Sequence, residues 1–360
     1  MKIGILTLPI KTNYGGVLQA YALLTILKKL GYDAWFIKRR WNSERQSWLH
    51  KKAKGFYHAF LIRRFNIFIN RYIQPQTEVI DTEAKAQSLL NRGFDGYVVG
   101  SDQVWRMKNV WGAGYNYFLD FTADLPVKRV AYAASFGVGY WDDAHPEYSI
   151  PVVKKLLLKF DGISVRENTG VTLCKDTFGV HAEHVLDPTL LLKKEDYISN
   201  LHLKVTASQP YIAVYILDMT DKKQAFLEKI SVELAMPLRF ISEGNSVWKK
   251  LLPYSMQELV KPSIPSWIES IANASYVITD SFHGTAFSII FEKQFLSIGN
   301  VARGLDRFLS ILQVLNLENR LLCDLNVVPS INEIDYQEVN EKLAEQCEHS
   351  INFIKSNLHV

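Results

Sequence analysis

Residues 274–291 read A-S-Y-V-I-T-D-S-F-H-G-T-A-F-S-I-I-F. Ala274 to Ile278 is a short, partly β-branched apolar run of the kind that forms a buried parallel strand. Ala286 to Phe291 is apolar and compatible with a helix, so the polar octet Thr279 to Ala286 falls on a strand-to-helix turn. In open α/β sheets ligands bind at such turns. Ser281, Gly284 and Thr285 would offer hydroxyls and backbone N–H groups at a helix N-terminus, whose partial positive charge suits an anion. His283 is the octet's side chain able to exchange a proton near neutral pH. The plainer account of the same residues is a helix cap beside a hydrogen-bonded histidine.

Outward from the octet, strands and helices alternate along the whole chain. Lys2 to Leu8 reads as a buried first strand, Asn13-Tyr14-Gly15-Gly16 as a glycine turn, and Val17 to Leu30 as a helix stopped by Gly31, with Ala34 to Ile37 the next strand. Thr82 to Asn91 is helical. Tyr97 to Val99 then ends in Gly100-Ser101-Asp102-Gln103, a second strand-end cluster with a carboxylate and an amide where a sugar hydroxyl or phosphate could be bound. Its plainer account is Asp102 capping the helix that follows. Arg129 to Ala134 leads to Ser135-Phe136-Gly137, and Ile163 to Glu167 carries Arg166, which on the surface would simply pair with Glu167 or another acid. His184 to Leu190 reads as a strand closed by Asp187-Pro188, and Lys193 to Lys204 as a polar linker. A second series runs from Tyr211 to Arg307, with Arg303 in the loop after Phe295 to Ile298, and Tyr336 to Asn357 forms a last helix.

These elements predict an α/β protein of two Rossmann-like domains, 1–195 and 205–330, facing each other across a cleft, with a C-terminal helix at 335–360. The first turn holds G-G rather than G-x-G-x-x-G, and no G-x-x-x-x-G-K-[ST] occurs, so neither a dinucleotide fingerprint nor a P-loop is present. A length of 360 residues suits two domains, and 48% hydrophobic with 22% charged residues is a soluble globular composition. Cys174, Cys323 and Cys347 are far apart, which argues against a disulfide framework or a structural zinc and fits a reducing cytoplasm. The apolar opening is short, broken by Pro9 and followed by Lys11, unlike a signal peptide, and no apolar run is long enough to span a bilayer. The expectation is a cytoplasmic protein.

The net charge of +4 conceals a local concentration. From Lys38 to Arg71 ten Lys/Arg stand against one acid, Glu44, so the rest of the chain carries more acids than bases. Trp41, Trp48, Phe56, Tyr57, Phe60, Phe65, Phe68 and Tyr72 are interleaved with these cations. A basic aromatic insertion at 38–75 has the composition of an interfacial helix, which would hold the protein peripherally at the inner face of an anionic membrane. A solvated helical hairpin, with aromatics packed on the domain and charges in water, explains it as well. No nucleic-acid-binding module accompanies the patch.

Six blocks of this sequence carry a family resemblance: N-Y-G-G-V-L-Q-A-Y-A-L at 13–23, V-G-S-D-Q-V-W at 99–105, Y-A-A-S-F-G at 132–137, S-V-R-E at 164–167, L-D-P-T at 186–189 and T-D-S-F-H-G-T at 279–285. In order, and across most of the chain, they resemble the polysaccharide pyruvyl transferases. The resemblance implies a glycosyltransferase-B-like fold and transfer of the enolpyruvyl group of phosphoenolpyruvate to a sugar as a cyclic ketal. It implies no cofactor and no metal. Members use an arginine in the S-x-R block and a histidine in the octet, which map onto Arg166 and His283, and some have a lysine after the histidine. Here Arg303 lies in the comparable loop, with Lys293 and Arg307 as the other candidates for that cation, and arginine meets anions differently from lysine.

Taken together, His283, Arg166 and Asp102 are the expected catalytic residues, with Asp102 orienting or deprotonating the acceptor hydroxyl. Ser281, Gly284, Thr285 and Arg303 would bind the donor. Asn13, Tyr14, Gly15, Gly16, Ser101, Gln103 and Ser135 would line the acceptor site. The partners are phosphoenolpyruvate and a sugar acceptor, lipid-linked or polymeric, in the synthesis of exopolysaccharide or capsule. A nucleotide-sugar-dependent glycosyltransferase and a non-catalytic glycan-binding protein are the alternatives, since a fold does not fix the donor.

Overall fold

The structure is a computed structural model that describes residues 1–40, 63–110, 114–122, 125–142, 145, 148–206, 209–241, 262–299, 304–326 and 332–359. The first sheet grows from its first strand. β1 (Lys2–Leu6) leads into helix α1 (Tyr14–Lys29), and β2 (Asp33–Phe36) returns beside β1 in parallel. After helices α2 (Arg63–Tyr72) and α3 (Glu83–Ser88), the chain enters β3 (Gly96–Val99) on the other side of β1. β4 (Lys128–Ala134), α4 (Ile150–Leu157), β5 (Gly162–Val165), α5 (Asn168–Leu173) and β6 (Glu183–His184) follow. The parallel order is β2-β1-β3-β4-β5-β6. All four residues of β3 are buried, as expected for a parallel strand covered on both faces.

Helix α6 (Lys194–Leu201) precedes the second sheet. β7 (Ile212–Tyr215), α7 (Asp221–Glu233), β8 (Leu238–Phe240), α8 (Ile264–Ala272) and β9 (Tyr276–Thr279) come first. They are followed by α9 (Phe282–Ile290), β10 (Gln294–Ile298), α10 (Asp306–Val314), β11 (Leu321–Leu322) and α11 (Tyr336–Leu358). The order is β8-β7-β9-β10-β11, again parallel throughout. Both sheets therefore place their first strand between the second and the third. The reversal point lies between β1 and β3 in one sheet and between β7 and β9 in the other.

The chain divides into two units, Met1–Ser47 with Ile69–Leu191 and Leu343–Val360, and Trp48–Phe68 with Leu192–Lys342. The end of α11 thus belongs with the first sheet: Ser350 Oγ accepts a hydrogen bond from the Leu186 N–H at 3.0 Å, and Phe353 lies against Tyr132. Three sequence expectations need correction. Gly15 and Gly16 form the first turn of α1 rather than a turn before it, because Asn13 caps the helix by accepting from the Gly16 N–H at 3.1 Å. Lys193 to Lys204 is not a linker, since α6 buries Tyr197 and Leu201, four residues apart on one face beneath a polar exterior. The strand expected over 184–190 is only Glu183–His184, because Asp187 accepts from the Thr189 N–H at 3.0 Å and starts a 3-10 turn at Pro188–Leu191.

Candidate active site

In the second unit, the reversal point is held together by Asp280. Its Oδ1 accepts from the Leu217 N–H at 2.6 Å, and its Oδ2 accepts from the Asp218 N–H at 3.2 Å and from Lys223 Nζ at 2.7 Å. Asp280 is fully buried and Lys223 nearly so, so this pair fastens the loop after β7 to the end of β9 in a low-dielectric setting. Leu217 and Met219, in the fastened loop, remain exposed. Asp280 belongs to the octet but is not among the residues expected to act in the site. The available signal was an acid directly after an apolar strand, where backbone N–H groups of the neighbouring loop need acceptors.

The rest of the octet starts α9. Ser281 is the N-cap and accepts from the Gly284 N–H at 3.5 Å, placing Phe282 and His283 in the first turn. His283 is 8% exposed, and the Phe282 ring meets its ring edge-on with centroids 5.1 Å apart. Arg307, at the start of α10, lies over Phe282 with its guanidinium carbon 5.9 Å from the ring centre. Gly284 has a packing reason: a Cβ there would sit 2.2 Å from Thr279 Oγ1. That oxygen is fixed, since it donates to the Tyr215 carbonyl at 2.7 Å and accepts from the Ser281 N–H at 3.1 Å. Thr285 points inward, its hydroxyl 2.6 Å from Ser297 Oγ. Ser281 and Thr285 therefore spend their hydroxyls on the fold, and backbone N–H groups with the His283 ring make up the polar face.

Of the candidate cations, Lys293 is ruled out by topology. It precedes β10, whereas the octet follows β9, and because these strands are parallel the two lie at opposite edges of the sheet. Burial and neighbouring Lys194 hold its ammonium below the usual lysine range. Arg303 lies outside the described residues. Arg307 is described, and lies over Phe282, the residue before His283.

In the first unit, the strand ends carry a buried ionic network. Arg166 Nη1 donates to Asp187 Oδ2 at 2.9 Å and to Ser101 Oγ at 3.3 Å, while its Nε lies 3.4 Å from Glu167 Oε1. Ser101 Oγ donates to the same Asp187 oxygen at 2.7 Å, and the Ser135 hydroxyl donates to Glu167 Oε1. Burial alone would lower the Arg166 pKa, but Glu167 and Asp187 outweigh it and the value is raised. The surface ion pair expected of Arg166 is thus corrected: the side chain is 1% exposed and held between two carboxylates. Nη1 and Nε of the guanidinium thus tie Ser101, Asp187 and Glu167 together.

Asp102 stands at the β1/β3 reversal point with φ +92°, a conformation side chains rarely adopt, and caps no helix. Its Oδ1 accepts from the Gln103 N–H at 2.9 Å, and its carbonyl accepts from the N–H groups of Val104 and Ser135. A Cβ on Gly16 would lie 3.3 Å from Asp102 Oδ2, so this carboxylate faces the first turn of α1. Asn13 is exposed, and Asp102 and Gln103 are half-buried. Tyr14, Gly15, Gly16, Ser101 and Ser135 are buried, the two serines within the ionic network. Arg106 also stands at this edge, unremarked in the sequence.

Of the basic insertion, residues 41–62 lie outside the described residues. In α2, Phe65 and Phe68 are buried while Arg63, Arg64 and Arg71 are exposed, the arrangement of a helix packed on protein. Among the described residues no helix is long and apolar enough to cross a membrane, and no group of three or more His, Cys, Asp or Glu is placed to hold a metal.

The family model for "Polysaccharide pyruvyl transferase" matches residues 13–300. A UDP-GlcNAc 2-epimerase from Methanocaldococcus jannaschii is similar in structure at 14% identity, with a TM-score of 0.51 over 98% of this chain and 93% of that one. A UDP-glucosyltransferase from Polygonum tinctorium is similar at 9% identity and TM-score 0.51, over 99% of this chain and 93% of that one. A UDP-GlcNAc 2-epimerase from Neisseria meningitidis, bound to UDP-GlcNAc, is similar at 9% identity and TM-score 0.51, over 100% of this chain and 95% of that one. At such identities the likeness shows the fold, which is that of the glycosyltransferase-B enzymes and epimerases. A search of curated proteins finds no match.

Proposed function

The chain belongs to the polysaccharide pyruvyl transferase family, and from that premise we propose that it transfers the enolpyruvyl group of phosphoenolpyruvate to a sugar of a cell-surface polysaccharide or its lipid-linked precursor. The observation that carries the reading is His283 in the first turn of α9, at the reversal point of the second sheet, with Arg307 stacked on the adjoining ring. A helix N-terminus and a guanidinium suit a small dianion bearing phosphate and carboxylate.

The reaction balances without a cofactor. A proton reaches the methylene carbon of phosphoenolpyruvate, making it a methyl group and leaving an oxocarbenium-like carbon that one sugar hydroxyl attacks. A second hydroxyl of the same sugar then displaces phosphate and closes the ketal. One hydroxyl proton is accounted for by the new methyl group and the other leaves with phosphate. His283 delivers the proton or steadies the departing phosphate. Asp102 orients the acceptor hydroxyl, and Arg166 acts at one remove by fixing Ser101, Asp187 and Glu167. Arg303 and Arg307 are the candidate donor cations. The basic insertion at 38–75 holds the enzyme at the inner face of the membrane, where a lipid-linked acceptor would be met.

Calorimetric titration with phosphoenolpyruvate and, separately, with UDP-GlcNAc tests the donor. Binding of phosphoenolpyruvate, lost in His283→Ala and weakened in Arg307→Gln, is the expected result. Binding of the nucleotide sugar alone would replace this reading with a glycosyltransferase.

A further inference from the structure

We propose that Arg106, held by Gln103 and Asn109, is an oxyanion-binding group for the phosphate carried by the acceptor sugar; this deepens the transferase reading and rests on it. Arg166 holds Asp187 and Glu167 through Nη1 and Nε, which points to a further cation at the strand ends of the first unit for an added negative charge. Arg39 and Arg129 are buried and donate to backbone carbonyls and polar side chains of their own unit. Arg106 lies in the loop after β3, four residues after Asp102, is half-buried, and forms no ion pair among the described residues.

Its geometry is fixed before any ligand arrives. Nη1 donates to Gln103 Oε1 at 3.2 Å, and Asn109 Nδ2 donates to the same oxygen at 2.7 Å. The arginine stem lies across Gly137, where φ is +72° and a Cβ would stand 3.1 Å from Arg106 Cδ and 2.8 Å from Gln103 Cδ. Glycine there thus lets the loop after β4 lie beneath both side chains. Nε is shielded from water and has no hydrogen-bond partner among the described residues. Nε is closed to a ligand oxygen as the side chain lies, so the outer nitrogens of the guanidinium would meet the phosphate, by charge-assisted hydrogen bonds. Pre-ordering reduces what binding must spend on fixing the side chain. The acceptor recognised is then a sugar phosphate, as found at the reducing end of a lipid-linked unit.

The test is calorimetric titration of the full chain with a hexose 1-phosphate, a hexuronate and the uncharged methyl hexoside, for the native protein, Arg106→Gln and Arg106→Lys. The proposal expects hexose 1-phosphate to bind and to weaken about tenfold or more in Arg106→Gln. Arg106→Lys, keeping the charge, should recover part of the loss, and unchanged thermal unfolding of both variants would show that the fold is intact. Hexuronate binding that depends on Arg106, with no binding of hexose 1-phosphate, would overturn the assignment to phosphate. Equal affinity of native and Arg106→Gln for hexose 1-phosphate, or native protein that binds neither charged sugar, overturns the proposal. Phosphoenolpyruvate titrated alongside keeps the two questions apart: its failure to bind removes the donor reading, whereas the Arg106 result is read from the sugar arms.

Discussion

Arg166 Nη1 lies 2.9 Å from Asp187 Oδ2 with neither side chain reached by solvent. The pair joins the end of β5 to the turn after β6, and Ser101 from the β3 end shares the same carboxylate oxygen. Removing one member strands a buried charge. Arg166→Met should therefore cost roughly 3–5 kcal/mol in urea denaturation. Where that variant remains folded, its affinity for phosphoenolpyruvate should stay near native. A fully stable variant that has lost phosphoenolpyruvate binding would instead make Arg166 a direct donor ligand, as the family resemblance implies.

Asp280 and Lys223 form the corresponding buried pair of the second unit. Asp280→Ala leaves the Leu217 and Asp218 N–H groups without their acceptor and Lys223 with only the Asp218 carbonyl, and should destabilise the chain by about 3–5 kcal/mol. A double-mutant cycle with Lys223→Met should return a coupling on the order of 1 kcal/mol or more. Additive losses would mean that the two side chains act independently.

At Gly284 the expected effect is steric. An alanine Cβ would press on Thr279 Oγ1, which two hydrogen bonds hold in place, so Gly284→Ala should cost about 1–3 kcal/mol. Adding Thr279→Ala clears the space and should return part of that loss in the same unfolding assay. A neutral Gly284→Ala would show that α9 can shift freely on β9.

The cysteines separate by reactivity. Burial pushes the Cys174 thiol up to about 12, so it carries almost no thiolate at neutral pH, while Cys323 is exposed. Iodoacetamide followed by peptide mass mapping at pH 8 should modify Cys323 in the native protein and Cys174 only after unfolding. Rapid native labelling of Cys174 would contradict the packing around α5.

How much of this could be read beforehand depends on distance along the chain. The octet, its flanking strand and the start of α9 were legible because a buried strand, a capping serine and an apolar helix face are local patterns. That the strands run parallel followed from their alternation with helices. The fate of Arg166 was not legible, because its partner Asp187 lies 21 residues on and meets it only once β5 and β6 are paired. Helix α6 was hidden by the polar residues that surround Tyr197 and Leu201. Arg106 gave no signal, since it sits in a loop without periodicity and gains its setting from Gly137, which arrives after the next strand. The inward turn of Thr285 depends on Ser297 of β10, which the octet cannot foretell.

Enolpyruvyl transfer to a sugar should depend on His283. It is tested most directly by measuring phosphate release from phosphoenolpyruvate by the purified chain, with lipid-linked and free sugar phosphates as acceptors and mass analysis of the sugars. Acceptor-dependent phosphate release with a pyruvate ketal on the sugar, both abolished in His283→Ala, is the predicted result. Phosphate release and ketal formation that continue at the native rate in His283→Ala, or a sugar product that carries a hexose from UDP-GlcNAc in place of pyruvate, would contradict it.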